Sequence, residues 1–319
     1  MKIKNLIFTF SDLFFICRPM LLIPVWGFTA FGYFRASETT LLKWDLPLKV
    51  YVLSLIFSLS VGSVYIFNQL ADIEVDKKNG GLPLIASGIV SQKTALFCAL
   101  ILAVFSIVSP LFFSEPILSV LAFLSIITGL FYSFKPFFFS GKPFLDFLTN
   151  SFGYGILAFG TGWFLAGKQL LTIDFFSNAL PYFFLMSAGS ISSTLPDIEG
   201  DKAERKKTTA VVFGTMNSHT IATACLCISG SLAFVIKDPV VLLCSFLSFP
   251  FYLLFFFKKN NLAIESTYKI GGALCMACAG ILFPAILASG MLVFILTWLY
   301  FRIRHGVSYP SLVPDNHEN

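Results

Sequence analysis

The chain is poor in charge. Only 12% of its 319 residues are Asp, Glu, Lys or Arg, about half the roughly 25% of a soluble domain. Together with 56% hydrophobic residues, 39 Phe and a mean hydropathy of +0.82, that shortage excludes an ordinary water-soluble globule and leaves a polytopic membrane protein. Histidine is scarce, with three in all. His219 and His305 have no partner at metal or triad spacing and read as interfacial residues. The seven cysteines lie in apolar segments and read as small packing residues. Cys275 and Cys278 spell CxxC, but no second pair or nearby His completes a metal set, and no disulfide framework is implied. The N-terminus lacks a small-x-small cleavage site and contains Asp12 and Arg18, so it reads as mature protein. No linker or shift in composition divides the chain. The expectation is one domain over residues 1–319, ending in a short disordered tail at about 306–319.

What remains is mostly long apolar runs. Stretches of about 20 residues, long enough to cross a bilayer, lie near 16–35, 46–71, 94–113, 117–134, 144–166, 178–196, 219–236, 239–257 and 268–301. The expected fold is therefore all-α, a polytopic membrane helical bundle of about nine transmembrane helices. The last stretch is long enough for one tilted helix or for two broken around Pro284 or Gly290. With the N-terminus inside, fourteen basic residues fall on inner loops. Seven fall on outer ones: Arg35, Lys43, Lys49, Lys168, Lys237, Arg302 and Arg304. The excess favours that orientation, and Arg302 and Arg304 fit it badly.

The scarce acids are not scattered. Asp72-Ile73-Glu74-Val75-Asp76-Lys77 returns as Asp197-Ile198-Glu199-Gly200-Asp201-Lys202, each copy after an apolar run and both on the inner face. The repeat suggests two pseudo-equivalent halves. On a helix, each four-residue step turns about 40°, so Asn68, Asp72 and Asp76 share one stripe while Glu74 faces away. Asp197 and Asp201 repeat the spacing, with Ser193 in the place of Asn68. Pro196 interrupts the second helix and starts a fresh turn. Such carboxylates repel one another beside a bilayer, where each costs roughly 2.5–3.5 kcal/mol. They persist if a cation lies between them. Magnesium takes one or two carboxylates and shares phosphate oxygens, so the expected ligand is a magnesium diphosphate. The bland alternative is a pair of solvated loops. Positive residues gather on the same face: Arg18, Lys135 in "YSFKP", Lys206 and Lys207. They are suited to a departing diphosphate.

These residues resemble the UbiA family of intramembrane prenyltransferases. "NQLADIEVD" matches the first family motif, N-[DQ]-x-x-D-x-x-x-D. "DIEGDKAERKKT" matches the second, with Lys206 and Thr208 in place. Tyr132, Ser133 and Lys135 resemble the Tyr-Ser-x-x-Lys after the fourth helix, with one residue fewer between Ser133 and Lys135, and Arg18-Pro19 matches the early Arg-Pro. The resemblance implies helices around a central cavity. It also implies Mg²⁺ held by Asp72, Asp76, Asp197 and Asp201, with Asn68 assisting. Lys135, Tyr132, Ser133, Arg18 and Lys206 would contact a polyprenyl diphosphate such as geranylgeranyl diphosphate. The prenyl group would pass to a lipophilic acceptor, an aromatic or quinone precursor or another lipid. The setting would be a prokaryotic cell membrane, with the site opening to the cytoplasm and no role for nucleic acid.

Some positions depart from the pattern. Nothing basic lies between Asn79 and Gln92, where many members carry Arg-Pro, and the family's Gly before the motif lysine is Arg205. Asp146 and Asn150 stand one turn apart at the start of helix 5 and are candidates for binding the acceptor, against a plain Asp146–Lys142 pair. This segment looks closer to enzymes acting on carotenoids, whereas the acidic motifs look closer to homogentisate prenyltransferases. Gly153, Gly155, Gly160 and Gly162 read as close-packing positions. A divalent-cation transporter is the rival from another class, although its ion site is expected near the midplane, away from lysines.

Overall fold

A computed structural model describes residues 2–37, 46–79 and 82–310, with the side chains of 2–8, 75, 78 and 79 outside that description. Lys43, the side chains of Lys2, Lys4 and Lys78, and tail residues 311–319 lie outside the described residues. Every regular element described is a helix: α1 (Lys2–Phe15), α2 (Ile23–Ser37), α3 (Leu48–Ala71), α4 (Ile73–Asn79), α5 (Pro83–Ala86), α6 (Gln92–Phe112), α7 (Pro116–Ser133), α8 (Leu145–Phe152), α9 (Phe159–Leu165), α10 (Ile173–Thr194), α11 (Ile198–Ala203), α12 (Thr209–Val235), α13 (Pro239–Lys258), α14 (Asn261–Leu282) and α15 (Pro284–His305). A π-helical turn, Gly153–Ala158, joins α8 to α9.

The helix ends follow their residues. Ser91, Thr172, Thr208, Asp238 and Asn260 each accept a backbone N–H of the following turn, which satisfies donors that the first turn leaves orphaned. Gly214 adopts φ 74°, ψ 167° and kinks α12, a conformation open to glycine. Phe283, at φ −137°, ψ 88°, precedes Pro284, which disfavours helix at its predecessor and has no N–H to give. Of the two expectations for 268–301, the structure has the break at Pro284, between two helices of 22 residues each, α14 and α15. Among the described residues, seven stretches are long and apolar enough to cross a membrane: Thr9–Ser37, α3, α6, α7, α12, α13 and α15. These seven do not by themselves fix the expected count of about nine.

The chain forms two compact units. The first comprises Met1–Ile23, Ile56–Ser133 and Ala288–Asn319. Its core packs Phe15, Ile16, Ile66, Phe67, Ile73, Leu84 and Phe301, with the Phe15 ring stacked on Tyr300 at 3.9 Å. Asp12 is buried in it. It accepts from the Tyr300 hydroxyl and from Arg304 Nη2 at 3.2 Å. The C-terminal end of α15 thus meets α1, which explains why Arg304 fitted the outer set badly.

The second unit comprises Pro24–Leu55 and Phe134–Leu287. Here α2 crosses α9 at glycines: a Cβ on Gly162 would stand 1.8 Å from the Thr29 carbonyl oxygen, and one on Gly32 1.9 Å from that of Phe159. Gly155 is similarly pressed by the Phe183 backbone, whereas Gly153 faces open space. Close packing therefore holds for part of the glycine set. His219 is fully buried, its Nε2 2.9 Å from the Tyr252 carbonyl and its ring among Tyr252, Phe255 and Phe256. It is a core residue, not the interfacial one expected, because α12 begins ten residues before it, at Thr209. Cys244 Sγ lies 3.6 Å from Cys278 and 3.8 Å from Cys275, all three as free thiols.

Candidate active site

Each unit carries one acidic motif. In the first, helical bonding runs through the Asp72 bend: Asp72 N–H donates to Asn68 O at 3.0 Å and Asp76 N–H to Asp72 O at 2.8 Å. That continuity puts Asn68, Asp72 and Asp76 on the expected stripe. The Asn68 amide bridges Asp72 Oδ2 at 3.0 Å and Ser133 Oγ at 3.3 Å, joining the first motif to the end of α7. Tyr132 is half-buried beside the buried Ser133. Glu74 faces out and pairs with Lys77 at 2.9 Å.

Arg18 enters through a break in the N-terminal helix. It sits at φ 49°, ψ 59°, with Pro19 next, and the helix cannot continue through that pair. Buried Gln69 secures the break, donating from Nε2 to Ile16 O at 2.7 Å and Tyr65 O at 3.0 Å. Arg18 Nε is buried without a hydrogen-bond partner. Sequence reasoning passed over Gln69; its adjacency to Asn68 in "NQ" was the available signal.

In the second unit α10 ends in a tight turn, Leu195–Asp197, and α11 starts afresh at Ile198, as Pro196 foretells. Asp197 and Asp201 lie one turn apart above a core of Leu195, Ile198, Ala210 and Phe255. Asp201 is held from two directions. Thr208 Oγ1 donates to its Oδ2 at 3.1 Å, and Lys206 Nζ stands 3.7 Å from its Oδ1 and 2.7 Å from Glu204 Oε2. Arg205 takes the left-handed conformation, φ 58°, at the place where the family has glycine. The outward Glu199 pairs with Lys202 at 2.8 Å, repeating the Glu74–Lys77 pair. Loss of hydration raises the Asp197 pKa above the ordinary aspartate range; Asp201 raises it further and Lys206 opposes. Burial likewise raises Asp201, against Lys206 and Thr208. A cation bound beside these carboxyls would favour their ionised form.

The remaining candidates separate. Lys135 is exposed. Asn150 donates to Asp146 O and Ser190 Oγ, both at 3.2 Å. Asp146 is buried; its Oδ2 accepts from Thr209 N–H at 2.7 Å and its Oδ1 from Thr209 Oγ1 at 2.6 Å. Lys142 instead lies over the Phe139 ring at 5.8 Å, so the simple Asp146–Lys142 pair gives way to a partner 63 positions along the chain.

Among the described residues, no group of three or more His, Cys, Asp or Glu side chains forms a preassembled metal cage. Each motif instead offers two hard oxygen-bearing side chains, the number magnesium takes when phosphate oxygens complete its shell. The donor set therefore fits Mg²⁺ bound together with a diphosphate.

The fold is that of known membrane proteins. A UbiA homolog from Archaeoglobus fulgidus bound to DMAPP and Mg²⁺ is similar with a TM-score of 0.65 and 20% identity, covering 87% of this chain and 99% of that one. Among curated proteins, the chain is 30% identical over 186 residues to a probable homogentisate phytyltransferase 2 of Oryza sativa subsp. japonica, covering 56% of this chain and 48% of that protein. It is 30% identical over 183 residues to the digeranylgeranylglyceryl phosphate synthase of Methanococcoides burtonii, covering 56% and 62%. The chain thus spans about half to three-fifths of the curated relatives it matches. Residues 25–268 match the model of the UbiA prenyltransferase family, and with seven membrane-length apolar stretches among its described residues the chain is an integral membrane protein belonging to that family.

Proposed function

We propose that this chain is a membrane prenyltransferase that moves a prenyl group from a polyprenyl diphosphate of the geranylgeranyl class to a lipophilic acceptor. One observation carries the reading. Both acidic motifs present an aspartate pair one helical turn apart, each pair with a member anchored by a neutral side chain, Asn68 at Asp72 and Thr208 at Asp201. In this reading each aspartate pair, Asp72 with Asp76 and Asp197 with Asp201, serves a magnesium-bound diphosphate. Magnesium, when bound, supplies positive charge to the diphosphate oxygens. Lys206, Lys135 and Arg18 add theirs as the allylic C–O bond breaks and its electron pair leaves with the diphosphate. The aromatic face of Tyr132 shields the allylic cation. The acceptor then bonds the allylic carbon and gives up a proton. The buried, unpartnered Nε of Arg18 supports an anionic ligand. Lys206 beside Asp201 argues against a bare-cation path. The relatives act on different acceptors by name, homogentisate and a glyceryl phosphate, so the acceptor is assigned only as lipophilic. The excess of basic residues on the N-terminal side supports a cytoplasmic opening, and the archaeal relative supports a prokaryotic cell membrane.

The test is to incubate membranes containing the full chain with labelled geranylgeranyl diphosphate, with magnesium or with chelator. Magnesium-dependent diphosphate release and a labelled lipid are expected. Asp72→Ala and Asp197→Ala should each abolish both while the protein still inserts. Magnesium flux without diphosphate release would overturn the proposal in favour of transport.

A further inference from the structure

Asp146 lies at the start of α8, where a carboxylate is available to a substrate only if its oxygens are free. They are not. Oδ1 accepts from Thr209 Oγ1 at 2.6 Å and from Phe147 N–H at 3.0 Å, and Oδ2 accepts from Thr209 N–H at 2.7 Å. Asp146 is 3% exposed and Thr209 1%. The Thr209 hydroxyl also accepts from Phe144 N–H at 2.7 Å, so it is filled on both sides. Two positions back, Lys207 N–H donates to Gly141 O at 3.1 Å. These bonds clamp the 141–146 segment against the turn at 205–209, both within the second unit.

That turn carries the diphosphate end of the proposed site. Thr208, adjacent to the clamp and 3% exposed, holds Asp201 Oδ2 and caps α12. Lys206, two residues before it, faces Asp201 and Glu204. A clamp at Thr209 therefore sets where both the carboxylate and the ammonium stand. The other side of the clamp continues back along the chain to Lys135.

We propose that Asp146 is a positioning residue for the diphosphate end of the site, acting through Thr209 and Thr208 on Asp201 and Lys206, and is not an acceptor-binding residue. The inference rests on the magnesium-diphosphate reading of the site. Outer partners of metal ligands typically contribute about 10–100-fold to affinity or activity. Asp146→Asn replaces one acceptor oxygen by a donor facing a Thr209 donor, so a loss of about that size is expected.

The experiment uses the purified full chain in lipid nanodiscs, with inorganic pyrophosphate plus magnesium as the probe, followed by calorimetry and by steady-state kinetics. Asp146→Asn should weaken magnesium-pyrophosphate binding and raise the KM for prenyl diphosphate by about tenfold or more, with the acceptor KM unchanged. Thr209→Val should act in the same direction, and Thr209→Ser, which keeps the hydroxyl, should restore wild-type binding. If Asp146→Asn fails to fold, the Val and Ser variants at 209 decide alone. Wild-type pyrophosphate affinity in Asp146→Asn, or a rise confined to the acceptor KM, overturns the inference and leaves the proposed function standing. A wild-type chain that does not bind magnesium pyrophosphate overturns the proposed function and this inference with it.

Discussion

Arg205 holds a backbone conformation that ordinarily falls to glycine. A left-handed L-residue costs roughly 1–2 kcal/mol, and glycine returns about 0.5–1 kcal/mol of that through its freer unfolded chain. Arg205→Gly is therefore expected to stabilise the ligand-free protein by about 0.5–1 kcal/mol, read as a higher thermal midpoint. A lower midpoint would mean that the arginine side chain contributes more than its backbone strain removes. The Asp197–Asp201 pair sets a pH dependence. Both folded pKa values are raised, so the folded state binds protons more tightly than the unfolded one. In the absence of metal, their contribution worsens as pH climbs from the ordinary aspartate value, about 3.9, through the folded values. If magnesium binds the ionised pair, as proposed, its stabilising effect should be larger at about pH 7.5 than at about pH 5. Equal magnesium-induced thermal shifts at both would remove the pair from the metal site. At this scale the aspartate stripes were legible because helical period alone aligns them. The real partner of Asp146 was not, since Thr209 is local in space and remote in sequence.

At the scale of elements, prolines and caps made most boundaries readable. Pro196 started α11 and Pro284 started α15, each for the same missing N–H. The apolar run near 219–236 begins ten residues after the start of α12 at Thr209. In the structure Thr208 caps a first helical stretch, Gly214 breaks it at a non-helical φ 74°, ψ 167°, and a second stretch runs on through His219, which is buried. The crossing of α2 and α9 was foreseeable as a glycine-rich segment but not as a particular contact. Its consequence is specific. A methyl at Gly162 would collide with the Thr29 carbonyl, backbone that cannot swing aside as a side chain would. Gly162→Ala should destabilise the second unit by about 1–3 kcal/mol, whereas Gly153→Ala, facing open space, should leave the thermal midpoint near wild type. Equal effects at the two positions would show that α9 slides to relieve the clash.

At the scale of the whole chain, composition alone announced a membrane protein, and helix count was the weakest part of that reading. Pro284 separates α14 from α15. Because Arg304 meets Asp12, cysteine labels placed after His305 and before Asp12 should be reached by a membrane-impermeant reagent from the same side of the bilayer. Labelling from opposite sides would contradict the pairing. The first unit is also discontinuous, assembled from both termini and a middle segment. During synthesis the membrane receives α1 with Asp12 long before Arg304, 292 positions further along the chain, is made to pair with it. Nascent chains stopped between Asp12 and α15 should therefore be clients for membrane quality control, and a stop codon just before α15 should be as damaging as one far upstream of it.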